Sequence, residues 1–238
     1  MIDKSVLDKL RQFDTATICN VIELFEVRRR NQGFMTREIK AAFPDLPPMV
    51  GFASTATCRS FTEAPDRDLP KIPDLISRFE DLSGPAAIVL QNLDSAGAAA
   101  NFGDVFSNSF KAFGAVGLVT NGPGRDLEQI ERIGFPVFYD GVVCAHGYMH
   151  LLDLHLPVQV GGLDVYPNDL LHGDGNGVTT IPLEIAADVA DACVEYAAAE
   201  AVVIDLAQSG SASLQEMREA FAEMSRLVDN LGKRLAKS

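Results

Sequence analysis

The densest grouping of chemically capable residues in the chain is Gly122-Pro123-Gly124-Arg125-Asp126. Glycines let a backbone approach a ligand closely. Arginine offers a planar fork suited to a carboxylate, and aspartate offers the hard oxygens that Mg²⁺ or Mn²⁺ prefers. An anion site beside a cation site is what a 2-oxo acid needs. Arginine takes the carboxylate, while carboxylate and keto oxygens chelate the metal. Taken alone, the pair also reads as a surface ion pair at a helix start, where aspartate favours the dipole. A second grouping, Gly103-Asp104, precedes a segment of helical period. The amides of Val105 and Phe106 are then expected to be free at a first helical turn, which makes an anion site. Asp104 there reads equally as an ordinary N-cap.

These loops need a sheet to hold them. Residues 86–93 (AAIVLQNL) read as a short buried strand, followed by a Gly/Ala-rich stretch at 95–100. Val105, Phe106, Phe110 and Phe113 give residues 105–113 a helical period. Residues 115–120 read as a strand, 121–124 as a turn, 125–133 as a helix and 135–141 as a strand. Strand–helix–strand–helix–strand is the sequence form of a crossover α/β unit. In such a unit, Asp104 and Arg125 come to one sheet edge, at the carboxyl ends of the strands where open α/β sheets place ligands.

The flanks read as follows. Residues 3–27 are helical, with Asp14 or Thr15 capping a second segment. Arg28, Arg29 and Arg30 are a solvated basic patch, and residues 31–48, with Gly33, Pro44, Pro47 and Pro48, a connecting loop. Residues 50–61 suit a strand and 76–82 a helix. From Leu156 to Pro182, short apolar runs broken by Gly-Gly, Pro-Asn and Gly-Asp-Gly-Asn-Gly predict hairpins. Ile185, Val189, Ala192 and Tyr196 mark the apolar face of a helix over 183–200. Leu214, Met217, Phe221, Met224, Leu227 and Leu231 form a last stripe, suited to packing on the body or on another subunit. The chain reads as one domain: a helical arm and loop at 1–48, a β/α core at 49–182 and helices at 183–238.

Composition narrows the classes. The 238 residues carry 20 Lys plus Arg against 33 Asp plus Glu, a formal charge of −13. That balance argues against nucleic acid and anionic membranes as partners. At 47% hydrophobic residues the chain has material for a core. There is no run of about 20 apolar residues to span a membrane and no signal-like apolar segment at the N-terminus, so a cytoplasmic protein is expected. Cys19, Cys58, Cys144 and Cys193 lack C-x-x-C spacing and read as core fillers. His146 and His150 lie four apart around Gly147 without the pattern of a zinc helix, and read as satisfied or surface histidines.

The arrangement Asp104-x20-Arg125-Asp126 resembles the signature of the 4-hydroxy-4-methyl-2-oxoglutarate aldolase/RraA-like family. Residues 112–141 (AFGAVGLVTNGPGRDLEQIERIGFPVFYDG) and 157–182 (PVQVGGLDVYPNDLLHGDGNGVTTIP) are similar to its longer conserved stretches. The likeness spans roughly residues 85–210. It implies a three-layer β/β/α swivelling-type α/β domain assembled as trimers or hexamers, with sites between subunits. It implies that Arg125, Gly103 and the amides of Val105 and Phe106 bind a pyruvate-like 2-oxo acid. Asp126 would hold Mg²⁺ or Mn²⁺ with waters completing the shell, and Asp104 would help order those waters. A glutamate from a neighbouring subunit's C-terminal helix matches Glu200, which falls on the apolar stripe of its own helix. The implied reaction is cleavage of a C–C bond by retro-aldol or decarboxylation. No lysine sits in these loops for a Schiff base. Some relatives are protein-binding regulators, a role to which an acidic oligomer is suited. Others carry a methyltransferase label, for which no G-x-G-x-x-G motif is present. The chain departs from the family pattern at Asn121, Gln129, Asn168, Asn176 and the His146–His155 segment, which points to an altered pocket.

Overall fold

The structure is a computed structural model that describes residues 2–94 and 99–236. Most of the Gly/Ala stretch read at 95–100 lies outside them. Two helices open the chain, α1 (Lys4–Leu10) and α2 (Thr15–Glu23). Asp3 and Asp14 cap them, accepting the amides of Ser5 and Thr17. Then follow β1 (Lys40–Ala41), β2 (Met49–Arg59), α3 (Ile72–Ser77), β3 (Ala86–Asn92), α4 (Asp104–Ala112), β4 (Gly117–Thr120), α5 (Leu127–Arg132) and β5 (Val137–Tyr139). The last third holds β6 (His150–Leu154), β7 (Val158–Val160), β8 (Leu163–Val165), β9 (Leu170–Asp174), β10 (Gly177–Ile181), α6 (Ala186–Gln208) and α7 (Leu214–Leu235).

The crossover unit is present. Strands β2, β3, β4 and β5 run parallel and adjacent, with α4 and α5 in the crossovers. The full order is β1-β5-β4-β3-β2-β9-β10, in which β1 pairs antiparallel with β5, β9 with β2 and β10 with β9. β2 is long enough to pair twice on one edge, with β9 through Met49–Phe52 and with β6 through Ala56–Arg59.

Alternation along the strands sorts the core into layers. Ala86, Ile88 and Leu90 of β3 join Phe110, Ile130 and Leu75 under the helices α3, α4 and α5. Their neighbours Ala87 and Val89 face the other way, against Val158, Val160 and Val165 of the β7–β8 ribbon. A sheet buried on both faces, by helices and by a smaller β layer, is the expected β/β/α arrangement. A third cluster joins α1, α2 and α6 to Val50, Phe52, Leu170 and Ile181, so these helices are built into the body. α7 folds back on α6 from a Ser213–Glu216 capping box, leaving Leu214 and Phe221 of the predicted stripe exposed.

Four expectations need correction. The stretch 31–48 is more than a connecting loop: Met35 and Ile39 plug the inner β layer, and β1 extends the sheet. Arg28 is not solvated; its guanidinium donates to Thr180 O, Thr180 Oγ1 and Thr179 Oγ1. The helix read at 76–82 starts earlier, because Pro73 suits a first turn and Asp74 accepts the Lys71 amide. Cys144 is exposed rather than a core filler, whereas Cys58 and Cys193 are buried. The hairpins from Leu156 onward are as read, and Asn168 adopts the left-handed conformation (φ +72°) its turn requires.

Candidate active site

The carboxyl ends of β3 and β4 deliver two loops to one place. Gly124 sits between Phe102 and Val142 in two parallel bridges, so the loops after β3, β4 and β5 are laced together. The packing excludes a side chain at Gly124, where a Cβ would come 1.9 Å from Phe102 Cζ. Arg125 and Asp126 follow immediately. Asp126 has φ +59° and ψ +33°, a left-handed backbone rare outside glycine. Such conformations persist where surrounding structure enforces them, commonly at functional sites.

This twist turns the Asp126 carboxylate towards the start of α4. Its Oδ2 lies 3.3 Å from the Asp104 amide and 3.3 Å from Arg125 Nε. Gly103 allows the approach, since a Cβ there would come 2.6 Å from Asp126 Oδ2. Gly103, rather than Asp104, is the N-cap of α4, and Asp104 is its first helical residue. The Asp104 carboxylate Oδ1 accepts the Val105 amide at 2.8 Å. Val105 being taken, the expected pair of free amides is reduced, among the described residues, to that of Phe106. Among the described residues no hydrogen bond reaches Asp126 Oδ1 or Asp104 Oδ2.

Gly103, Asp104, Val105, Phe106, Arg125 and Asp126 all line one cavity of about 440 Å³. The 146–150 segment lines the same cavity, contributing His146, Tyr148, Met149 and His150. Hard oxygens, a guanidinium, a helical amide, imidazoles and apolar groups thus share one cavity.

Residues 15–180 match the RraA-like family, described as Aldolase/RraA. The chain belongs to that family. A protein of Halalkalibacterium halodurans named "Putative 4-hydroxy-4-methyl-2-oxoglutarate aldolase" is 33% identical over 81 residues. That match covers 34% of this chain and 39% of the relative. Among solved structures, an uncharacterized protein of Pseudomonas syringae pv. tomato aligns with a TM-score of 0.72 at 22% identity, over 92% of this chain and 94% of that one. Streptomyces coelicolor RraAS2, described as an unusual member of the RNase ES inhibitor RraA protein family, aligns with a TM-score of 0.66 at 22% identity. The shares covered are 84% of this chain and 96% of that one. At these identities the structures establish the RraA-like fold.

Glu200 lies elsewhere in this RraA-like chain. It sits on α6 near Asp14 and Tyr196. Burial, then the nearby Asp14 carboxylate, pushes its carboxyl above the usual range. Within one chain it does not line the cavity.

Asn121, where the family pattern has aspartate, also lies outside the lining. Its Oδ1 accepts the Asn92 amide at 2.7 Å and its Nδ2 donates to Asn92 O at 3.0 Å. An aspartate could make only the first bond, so asparagine here ties the ends of β3 and β4 together.

Sequence reasoning missed the supports of the cavity wall. Asp94 has a side chain only 3% exposed, bonded to Arg59 and to the amides of Ser60 and Phe61. Burial alone would raise its pKa; the Ser60 and Phe61 amides and Arg59 outweigh burial and hold it below the usual range. Ser60 in turn accepts the Tyr148 amide and donates to Ala99 O. Asn101 is fully buried on the cavity's inner side, its Nδ2 on Cys58 Sγ and its Oδ1 without a partner among the described residues. No motif marks these residues, because their partners are distant in sequence and many are backbone groups.

Proposed function

We propose that this protein is a divalent-metal-dependent lyase that cleaves a C–C bond in a 2-oxo acid and releases pyruvate. The observation that carries the reading is the forced left-handed Asp126, which sets a carboxylate between Arg125 and the start of α4. Arg125 binds the substrate carboxylate, assisted by the Phe106 amide. The residues fit Mg²⁺ or Mn²⁺. Asp126, with Asp104 beside it, offers hard oxygens, and the described residues contain no cluster of three or more His, Cys, Asp or Glu ligands. A small hard cation that keeps much of its water needs only one or two carboxylates. When bound, such an ion supplies Lewis-acid polarisation of the 2-keto oxygen.

A 4-hydroxy-2-oxo acid then undergoes retro-aldol cleavage, which needs a proton acceptor at the hydroxyl. An oxaloacetate-type substrate loses CO₂ and needs none. In a trimer or hexamer, Glu200 of one chain closes the cavity of the next; a half-buried carboxylate raised by burial and then by Asp14 supports this reading. Among the described residues no helix is long and apolar enough to cross a membrane, and the proposed setting is cytoplasmic.

The test is pyruvate release from oxaloacetate and from 4-hydroxy-4-methyl-2-oxoglutarate, with Mg²⁺, Mn²⁺ or EDTA. Metal-dependent release by the wild type, lost in Asp126→Ala, is expected. No release under any metal contradicts the lyase and favours the second reading. That reading is a non-catalytic regulator of a basic protein, favoured by the −13 charge, whose binding must weaken as salt rises.

A further inference from the structure

We propose that His150 is a catalytic base of this chain, taking the proton from the hydroxyl of a 4-hydroxy-2-oxo acid held at Arg125. The proposal rests on the lyase reading above and adds the proton acceptor which that reading requires.

His150 lines the same cavity as Arg125 and Asp126. Its Nδ1 lies 2.7 Å from Tyr148 O. A carbonyl oxygen only accepts, so Nδ1 carries the ring proton and Nε2 carries the lone pair. Among the described residues nothing bonds Nε2. The other buried or half-buried histidines differ. His172 has a partner at each ring nitrogen, and His155 places Nε2 on Ser54 Oγ at 3.1 Å.

His150 is also held in place. It is the first residue of β6, paired with Arg59 of β2, and half-buried. Tyr148, whose carbonyl fixes the ring, donates its own amide to Ser60 O. His146 has the same tautomer, through Gly147 O at 2.8 Å, but sits exposed on the loop. A base must be positioned as well as basic, and strands position groups better than loops. That selects His150.

The step balances without a further reactant. Nε2 accepts the hydroxyl proton, and the O–H electron pair becomes the C4=O bond of the departing carbonyl product. The C3–C4 bond breaks, and its pair becomes the C2=C3 bond of the pyruvate enolate, with charge on the C2 oxygen. The imidazolium then returns its proton to C3, giving pyruvate and neutral His150.

The test separates this base from the lyase reading by using two substrates. Oxaloacetate has no hydroxyl proton to remove. His150→Gln should lose about 100-fold or more of kcat for 4-hydroxy-4-methyl-2-oxoglutarate, while oxaloacetate decarboxylation is retained. His146→Gln should affect both much less. Imidazole added to His150→Ala should restore aldol cleavage. Imidazole nitrogen NMR of the wild type should show His150 with Nδ1 protonated, and its Nε2 resonance should move on adding pyruvate. Equal loss on both substrates in His150→Gln, no loss on either, or wild-type decarboxylation without aldol cleavage overturns the base and leaves the lyase standing. No release by the wild type from either compound overturns the lyase reading and the base with it.

Discussion

Two polar clusters occupy this molecule, built from similar residue types and put to opposite ends. One joins β9 to the N-terminal helices. His172 there is fully buried: Nε2 donates to Leu10 O at 3.1 Å, and Nδ1 accepts from Thr15 Oγ1 at 2.9 Å. Asp174 accepts the Thr15 amide on Oδ2 and the Asn176 amide on Oδ1. Each ring nitrogen of His172 and each carboxylate oxygen of Asp174 has a partner, and the cluster is a strut. The other cluster surrounds the cavity. Among the described residues, Asp126 uses one oxygen and leaves the other open, and His150 uses Nδ1 and leaves Nε2 open. What separates a site from a strut is therefore residual hydrogen-bonding capacity facing a cavity, and not the presence of His and Asp. Buried polar groups in proteins are normally satisfied, so open ones grouped at a cavity are informative.

The contrast makes predictions that differ in kind on the two sides. The largest effect is expected at Arg125. Arg125→Ala should weaken inhibition by pyruvate by about 100-fold, the scale of a charge-assisted hydrogen bond, with little change in melting temperature. A next effect comes from Gly103→Ala. Its new Cβ must displace Asp126 Oδ2, so Mn²⁺ affinity measured by calorimetry should fall about 10-fold, as for other changes that disturb how a ligand is oriented. On the strut side the expectation reverses. His172→Gln should lower unfolding free energy by about 1–3 kcal/mol in urea titrations and leave pyruvate release unchanged.

The smallest effect is a pH dependence. Burial holds the His172 imidazole below its ordinary pKa, despite the Leu10 carbonyl and the Asp174 and Asp14 carboxylates that favour its charged form. The unfolded chain therefore binds a proton below about pH 6.5 that the folded chain resists. Stability should be full above that pH and decline as pH falls through it. Melting curves between pH 8 and 5 should show this decline, reduced in His172→Gln.

The sequence exposed some of this and concealed the rest for physical reasons. Local period and turn chemistry were enough for the crossover unit, the loops at Asp104 and Arg125, and the hairpins ending at Ile181. Backbone-mediated features were hidden. The Val105 amide is lost to Asp104, Asn121 pairs with the Asn92 backbone, and Asp94 braces the 59–61 segment, each through a contact that composition cannot signal. In the sequence the His146–His150 segment reads as a departure from pattern and its histidines as satisfied or surface groups. Its role depends on which ring nitrogen faces a carbonyl, a fact of geometry alone. Arg28 was misread because a run of three arginines suggests solvent, whereas one of them anchors β10.

On the proposed lyase reading, an open carboxylate oxygen, and not merely an aspartate, makes the cation site. Mn²⁺ titration followed by electron paramagnetic resonance tests it, comparing wild type with Asp126→Asn and Asp174→Asn. Asparagine tolerates the left-handed backbone at position 126 and keeps an acceptor at position 174. Asp126→Asn is expected to abolish tight Mn²⁺ binding, and Asp174→Asn to leave it intact. Undiminished binding in Asp126→Asn would contradict that reading.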